Sequence, residues 1–265
     1  MKTILVATDF SSTASNAASY AADLALSINA DMLLLHISQE DIIENAEKYL
    51  LKLKEQLTLK TGGKLNIKTK VRRGVFFHQE LKIICERIKP YVVVMGSQGR
   101  TSSQRLLFGS ESVHAMRYLM WPLITVPPEA TFSSIKKIGL ACDFDKAIDT
   151  TPIDEIKMLV NDFNAELHIL NTGKEDVFDP EVVFESGLLM ETLADLKPRC
   201  HFITSKNTDE GIMNFAEKNH IDLLIVLPKW HRLLDKLIHK SHTKQLVLRS
   251  HIPVMALHHE VLINA

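Results

Sequence analysis

Gly96, Gly99, Gly109 and Ser110 are spaced as Gly-x2-Gly-x9-Gly-Ser, directly after the apolar run Tyr91-Val92-Val93-Val94-Met95. Glycine has no Cβ to keep an anion away from backbone N–H groups, and the unpaired N–H groups at a helix start add positive potential. A strand that runs into a glycine loop and then a helix is therefore equipped to hold phosphate, which suggests a nucleotide as ligand. Chance gives such a four-residue pattern on the order of 1% of the time in a chain of this length. The competing reading is an ordinary strand-to-helix turn with a glycine opening the next helix.

The elements that must position these residues alternate between strand and helix periods, the signature of a parallel sheet covered by helices. The first half predicts strands at Thr3 to Ala7, Met32 to His36, Asn66 to Arg72, Tyr91 to Met95 and Leu123 to Val126. Between them, apolar spacing predicts helices over Thr13 to Asn29, Asp41 to Leu59, His78 to Ile88 and Ser110 to Met120. The second half restates the first. Ile138 to Phe144 echoes Leu5 to Phe10, Ala165 to Leu170 echoes Ala30 to Leu35, and Asp222 to Val226 matches Tyr91 to Met95. Ile252-Pro253-Val254-Met255 likewise matches Trp121-Pro122-Leu123-Ile124. Motifs recurring in one order at nearly constant spacing indicate a tandem duplication. The expected domains are residues 1–130 and 135–265, joined near Pro127 to Ser134.

The 265 residues, 46% hydrophobic and 24% charged, suffice for two ordinary soluble domains. A formal charge of −1 speaks against a surface built for nucleic acid. Cys85, Cys142 and Cys200 lie far apart without metal-ligand spacing and read as buried thiols suited to a reducing compartment. The apolar run at the N-terminus is too short for a signal peptide, and no run reaches the ~18 residues of a membrane span. The expected location is the cytoplasm, without a membrane partner.

These residues resemble the universal stress protein family in its tandem, two-domain form. The resemblance rests on Gly96, Gly99, Gly109 and Ser110, joined to Asp9 at the end of the first strand. It implies two Rossmann-like (adenine nucleotide alpha hydrolase-like) α/β domains, each a five-stranded parallel sheet of order 3-2-1-4-5 flanked by helices. The ligand implied is ATP, alone or with Mg2+, bound in the first domain at the carboxyl ends of the strands. By position, Ala7, Thr8, Asp9 and Ile37 would line the base and ribose, and Met95, Gly96, Gln98 and Gly99 the ribose and phosphates. Gly109, Ser110 and Ser112 would complete the cradle. Arg100 and Arg105 lie in the intervening loop, where either could pair with phosphate oxygens or face solvent. Ser110 could also simply cap the helix.

One departure is Glu111, where the family usually places a small or apolar residue. A carboxylate beside phosphates repels them unless it points away or helps hold magnesium through water. In the second half Leu227, Trp230 and Lys240 stand where the glycines would be, and only Ser241 is kept. Such side chains would block close backbone approach, so no ATP site of this type is expected there. That half nonetheless keeps Asp143, which suggests that Asp at this corner braces a turn as well. It also carries a basic, histidine-rich run from Lys229 to His251, read as a solvated face or an anion or partner site.

The function this implies is a cytoplasmic stress-response protein that binds ATP in its first domain as a regulatory ligand, with a protein partner and a homodimer as associated expectations. One alternative is a slow ATPase or phosphotransferase, for which Gln98 and Glu111 are the nearby candidates to place a water. Another is a nucleotide-free scaffold that works through its basic second half. Neither a Walker lysine loop nor an early Gly-x-Gly-x-x-Gly occurs, which leans against enzymatic activity.

Overall fold

Residues 2–38, 43–97, 109–172, 180–228 and 242–259 are described by a computed structural model of the chain. Packing divides the chain into Met1–Ser134 and Ile135–Ala265. The first unit runs β1 (Thr3–Ala7), α1 (Ser12–Ser27), β2 (Asp31–Ser38), α2 (Ile43–Lys60), β3 (Ile67–Arg73), α3 (Phe77–Ile88), β4 (Val92–Gly96), α4 (Gly109–Tyr118) and β5 (Leu123–Val126). All its strand pairs are parallel, in the order β3-β2-β1-β4-β5. The central strands are apolar on both faces, as a sheet covered on both sides requires, and β1 and β4 are almost wholly buried. Edge strand β3, by contrast, carries Lys68, Lys70, Arg72 and Arg73, charges that discourage pairing with a foreign strand.

Helix α1 begins where Ser11 caps it, its hydroxyl accepting from the Ala14 N–H at 3.1 Å. Its buried face is largely alanine, at positions 14, 17, 18, 21, 22 and 25, so the helix lies close against the sheet. Asn16 then fastens the end of the unit, donating to the carbonyls of Pro127 and Ala130 at 3.0 and 2.9 Å.

The second unit runs β6 (Lys137–Ala141), α5 (Ala147–Thr150), α6 (Ile153–Phe163), β7 (Glu166–Asn171), α7 (Pro180–Thr192), β8 (Arg199–Phe202), α8 (Thr208–Lys218), β9 (Leu223–Val226), α9 (His242–Arg249) and β10 (Val254–Ala256). Its order, β8-β7-β6-β9-β10, repeats that of the first unit. The register repeats too: Ile4 pairs with Met32 and Val92, and Ile138 with Leu167 and Leu223. One element differs. Where α1 is continuous, the second unit breaks into α5 and α6, because Pro152 holds Thr151 extended (φ −97°, ψ 125°) and cannot donate within a helix.

The duplication extends to unusual backbone. Left-handed residues recur at matching places, Phe10 and Phe144 (φ 63° and 58°), Asn29 and Asn164 (51° and 48°), and Lys89 and His220 (47° and 55°). Asn tolerates this region, whereas a residue such as lysine loses about 1–2 kcal/mol to the clash of Cβ with the backbone. Lys89 caps α3, its N–H donating to the Cys85 carbonyl at 2.7 Å, and its side chain is exposed. Lys89→Gly is therefore expected to stabilise the first unit by about 1 kcal/mol, measured as a rise in the urea midpoint. A lowered midpoint would contradict this account.

Candidate functional site

Five elements, β1, α1, β2, β4 and α4, meet at the carboxyl edge of the first sheet. β1 ends at Ala7, and the chain turns through Thr8, Asp9 and Phe10 before Ser11 caps α1. Three hydrogen bonds shape this corner. The Thr8 N–H donates to the Leu35 carbonyl at 2.9 Å, the Phe10 N–H to Thr8 Oγ1 at 3.1 Å, and the Ser11 N–H to Asp9 Oδ1 at 2.9 Å. The last is an Asx turn. In the second unit the Asp145 N–H donates to Asp143 Oδ1 at 3.2 Å, so the shared aspartate braces the same turn in both.

His36, at the end of β2, makes a bond that sequence reasoning missed. Its Nδ1 lies 2.7 Å from the Thr8 carbonyl oxygen. A carbonyl only accepts, so Nδ1 carries the proton, and in the neutral ring Nε2 is left as an acceptor. Asn171 makes the matching bond in the second unit, donating to the Cys142 carbonyl at 2.9 Å. Phe10 packs over His36 with ring centroids 4.5 Å apart, and on Tyr49 at 5.4 Å. Ile37, the residue expected to face the base, is half-buried beside them.

The side of the corner where the motif lies is built by β4 and α4. Ser112 donates its hydroxyl to the Gly96 carbonyl at 2.9 Å, which fixes the first turn of α4 against the end of β4. Its proton is thus committed to the protein, and Ser112 enters as a positioning residue. Helix α4 already starts at Gly109, so Ser110 is its second residue rather than the preceding cap. Met95 is buried, and Glu111 is exposed in the first turn, where a carboxylate also suits the positive end of the helix. Gln98, Gly99, Arg100 and Arg105 lie outside the described residues.

Gly96 has a packing reason of its own. A Cβ there would stand 3.0 Å from Thr13 Cγ2, 3.1 Å from the Thr13 carbonyl carbon and 3.2 Å from the Ala14 nitrogen. A side chain there would require Thr13 and the start of α1 to give by a few tenths of an ångström.

On α4, His114 packs in tilted contact against His78 of α3 and against Tyr118, with centroids 4.6 and 4.5 Å apart. Burial, and then His78, hold its ring below the usual histidine range, while Glu111 pulls the other way. No local pattern foretold this contact, since the two histidines come from different helices. Burial, with Glu86 beside it, pushes the Cys85 thiol up to about 12, and burial also raises Cys200.

The sequence model of the universal stress protein family matches residues 1–127 and again 134–258. The chain belongs to the universal stress protein family. Among solved structures, a universal stress protein from Archaeoglobus fulgidus DSM 4304 is 17% identical, covering 97% of this chain and 98% of that one with a TM-score of 0.69. A putative universal stress protein from Pseudomonas aeruginosa UCBPP-PA14 is 12% identical, covering 97% and 93% with a TM-score of 0.63. At these identities the likeness speaks to the fold. A universal stress protein in complex with cAMP matches 47% of this chain and 96% of its own, at 20% identity and a TM-score of 0.40. No curated protein sequence matches the chain.

The second unit of this universal stress protein fills its corner differently. Glu185 of α7 places a carboxylate oxygen 2.8 Å from the Ala147 N–H, at the start of α5. Leu227 follows β9 where Gly96 ends β4. Trp230, Lys240 and Ser241 lie outside the described residues. No helix among the described residues is long and apolar enough to cross a membrane.

Proposed function

We propose that the first unit binds an adenine nucleotide, ATP by its motif, as a regulatory ligand in a stress-response protein. The observation that carries this reading is the Ser112 hydroxyl on the Gly96 carbonyl, which sets the N-terminus of a ten-residue helix beside the strand ends. The phosphates would lie against the backbone N–H groups of Gly109 and Ser110, with the base and ribose toward Thr8, Asp9 and Ile37. The chemistry fits, because helix-start N–H groups suit an anion and Glu111 has an exposed side chain rather than one buried in the corner. A regulatory role is preferred to turnover because the carboxylate that could orient a water, Glu111, is exposed. Magnesium would accompany the phosphates as their counter-ion.

Denaturing freshly purified protein and weighing the released small molecules should yield an adenine nucleotide. Calorimetry with ATP should saturate at one nucleotide per chain. Ser112→Ala removes one part-buried hydrogen bond of about 1 kcal/mol and frees the helix start, so affinity should fall about fivefold. No released nucleotide together with no heat of binding would overturn the proposal.

A further inference from the structure

In the second unit, His168 on β7 and His201 on β8 face each other with His168 Nδ1 3.0 Å from His201 Nε2. The ring planes agree within 8° and the centroids are 5.2 Å apart, so the rings meet edge to edge in an in-line N–H···N bond. His168 is 4% exposed. Its other nitrogen, Nε2, is fully buried, with Glu166 Oε2 3.5 Å away, and Arg199 sits 3.4 Å from the same carboxylate oxygen. Gly139 of β6 lies opposite His168, and α8 covers His201 with the Phe215 ring at 4.7 Å. Among the described residues, the charged and titratable groups facing the pair are therefore Glu166, Arg199 and the two rings themselves.

The proton placement follows. Glu166 only accepts when ionised, so His168 keeps its proton on Nε2 toward the carboxylate and accepts at Nδ1 from His201 Nε2–H. A first extra proton, on His201 Nδ1, leaves that bond intact. A second must land on His168 Nδ1, where it points an N–H at an N–H and puts two cations in contact. Glu166 offsets one charge at most and is shared with Arg199.

We propose that the His168–His201 pair is an acid-sensitive latch: it holds edge strand β8 and helix α8 against β7 while one proton is shared, and releases them when both rings are charged. Burial first, then the neighbouring ring for His168 and Arg199 for His201, keep both histidines below the ordinary value of 6.5. The native state then binds fewer protons than the opened one below that pH. Its stability is complete above about pH 6.5 and is lost as pH falls toward the depressed values.

The test is native-state hydrogen exchange on the full chain from about pH 7.5 to about pH 5, corrected for intrinsic rates. For amides of residues 199–202, the opening constant should rise about tenfold per pH unit below 6.5 for each proton taken up on opening. His201→Phe keeps a ring but removes one titrating group, and should flatten that rise. Should the variant fold poorly, NMR titration of the wild-type histidines serves instead, with both midpoints expected below 6.5. Protection of β8 that stays constant with pH, or midpoints at or above 6.5, would overturn the proposal.

Discussion

Gly96→Val is expected to destabilise the first unit by several kcal/mol with no nucleotide present. The methyl of Gly96→Ala alone would meet Thr13 Cγ2, the Thr13 carbonyl carbon and the Ala14 nitrogen at 3.0 to 3.2 Å. Two of those atoms are backbone of α1, which the Ser11 cap and a buried alanine face hold in place. Overpacking of this kind costs about 1–3 kcal/mol, and valine adds two further methyl groups to the same gap. Thr13→Ser removes the Cγ2 contact while leaving both backbone contacts. Combined with Gly96→Ala it should recover part of the loss and no more, a coupling that a double-mutant cycle in urea would measure. If Gly96→Ala proves as stable as wild type, the close approach of α1 does not govern this residue.

This bears on how the motif is read. A glycine in a phosphate-type spacing can answer to a helix packed behind the strand as well as to a ligand in front of it. The second unit shows the alternative, since Leu227 occurs there with a helix that stops at Thr150 and restarts after Pro152. Loss of affinity in a Gly96 variant would therefore mix folding with binding, and Ser112→Ala is the cleaner probe of the site.

What the sequence made legible follows from the range of each interaction. The strands Thr3–Ala7 and Leu123–Val126 were readable to the residue, because short, mostly apolar stretches bounded by Lys2 and Thr8-Asp9, or by Pro122 and Pro127-Pro128, mark buried parallel strands. The duplication was readable from repeated motifs, and the bracing role of Asp9 from its survival as Asp143. The His36 bond to Thr8 and the His168–His201 pair were not. Each joins residues far apart in the chain through strand register, which periodicity along one segment cannot supply. The crowding at Gly96 was hidden for the same reason, since it depends on how near α1 lies. Gln98, Gly99 and Arg100 fall outside the described residues, so their part in the site rests on the motif.

Phe144→Ala is expected to cost about 3–5 kcal/mol in the second unit, whereas Phe10→Ala should cost the first unit less than half of that. The two phenylalanines occupy the same left-handed corner, and alanine keeps the Cβ, so backbone strain is equal on both sides of each comparison. What differs is where the ring goes. Phe144 is 1% exposed and lies 6.1 Å from the Phe202 ring, so its removal leaves a cavity in a packed core. Phe10 is only half-buried, resting on His36 and on Tyr49, itself 53% exposed. Its loss removes fewer contacts but takes away the ring that packs on His36 beside the Thr8 carbonyl. Under the proposed function, Phe10→Ala should therefore weaken adenine nucleotide binding while the unfolding midpoint moves little, and Phe144→Ala should do the reverse. Equal losses of stability at the two positions would show that the duplicated corner is packed alike in both units, and would remove the argument that only the first has kept it open for a ligand.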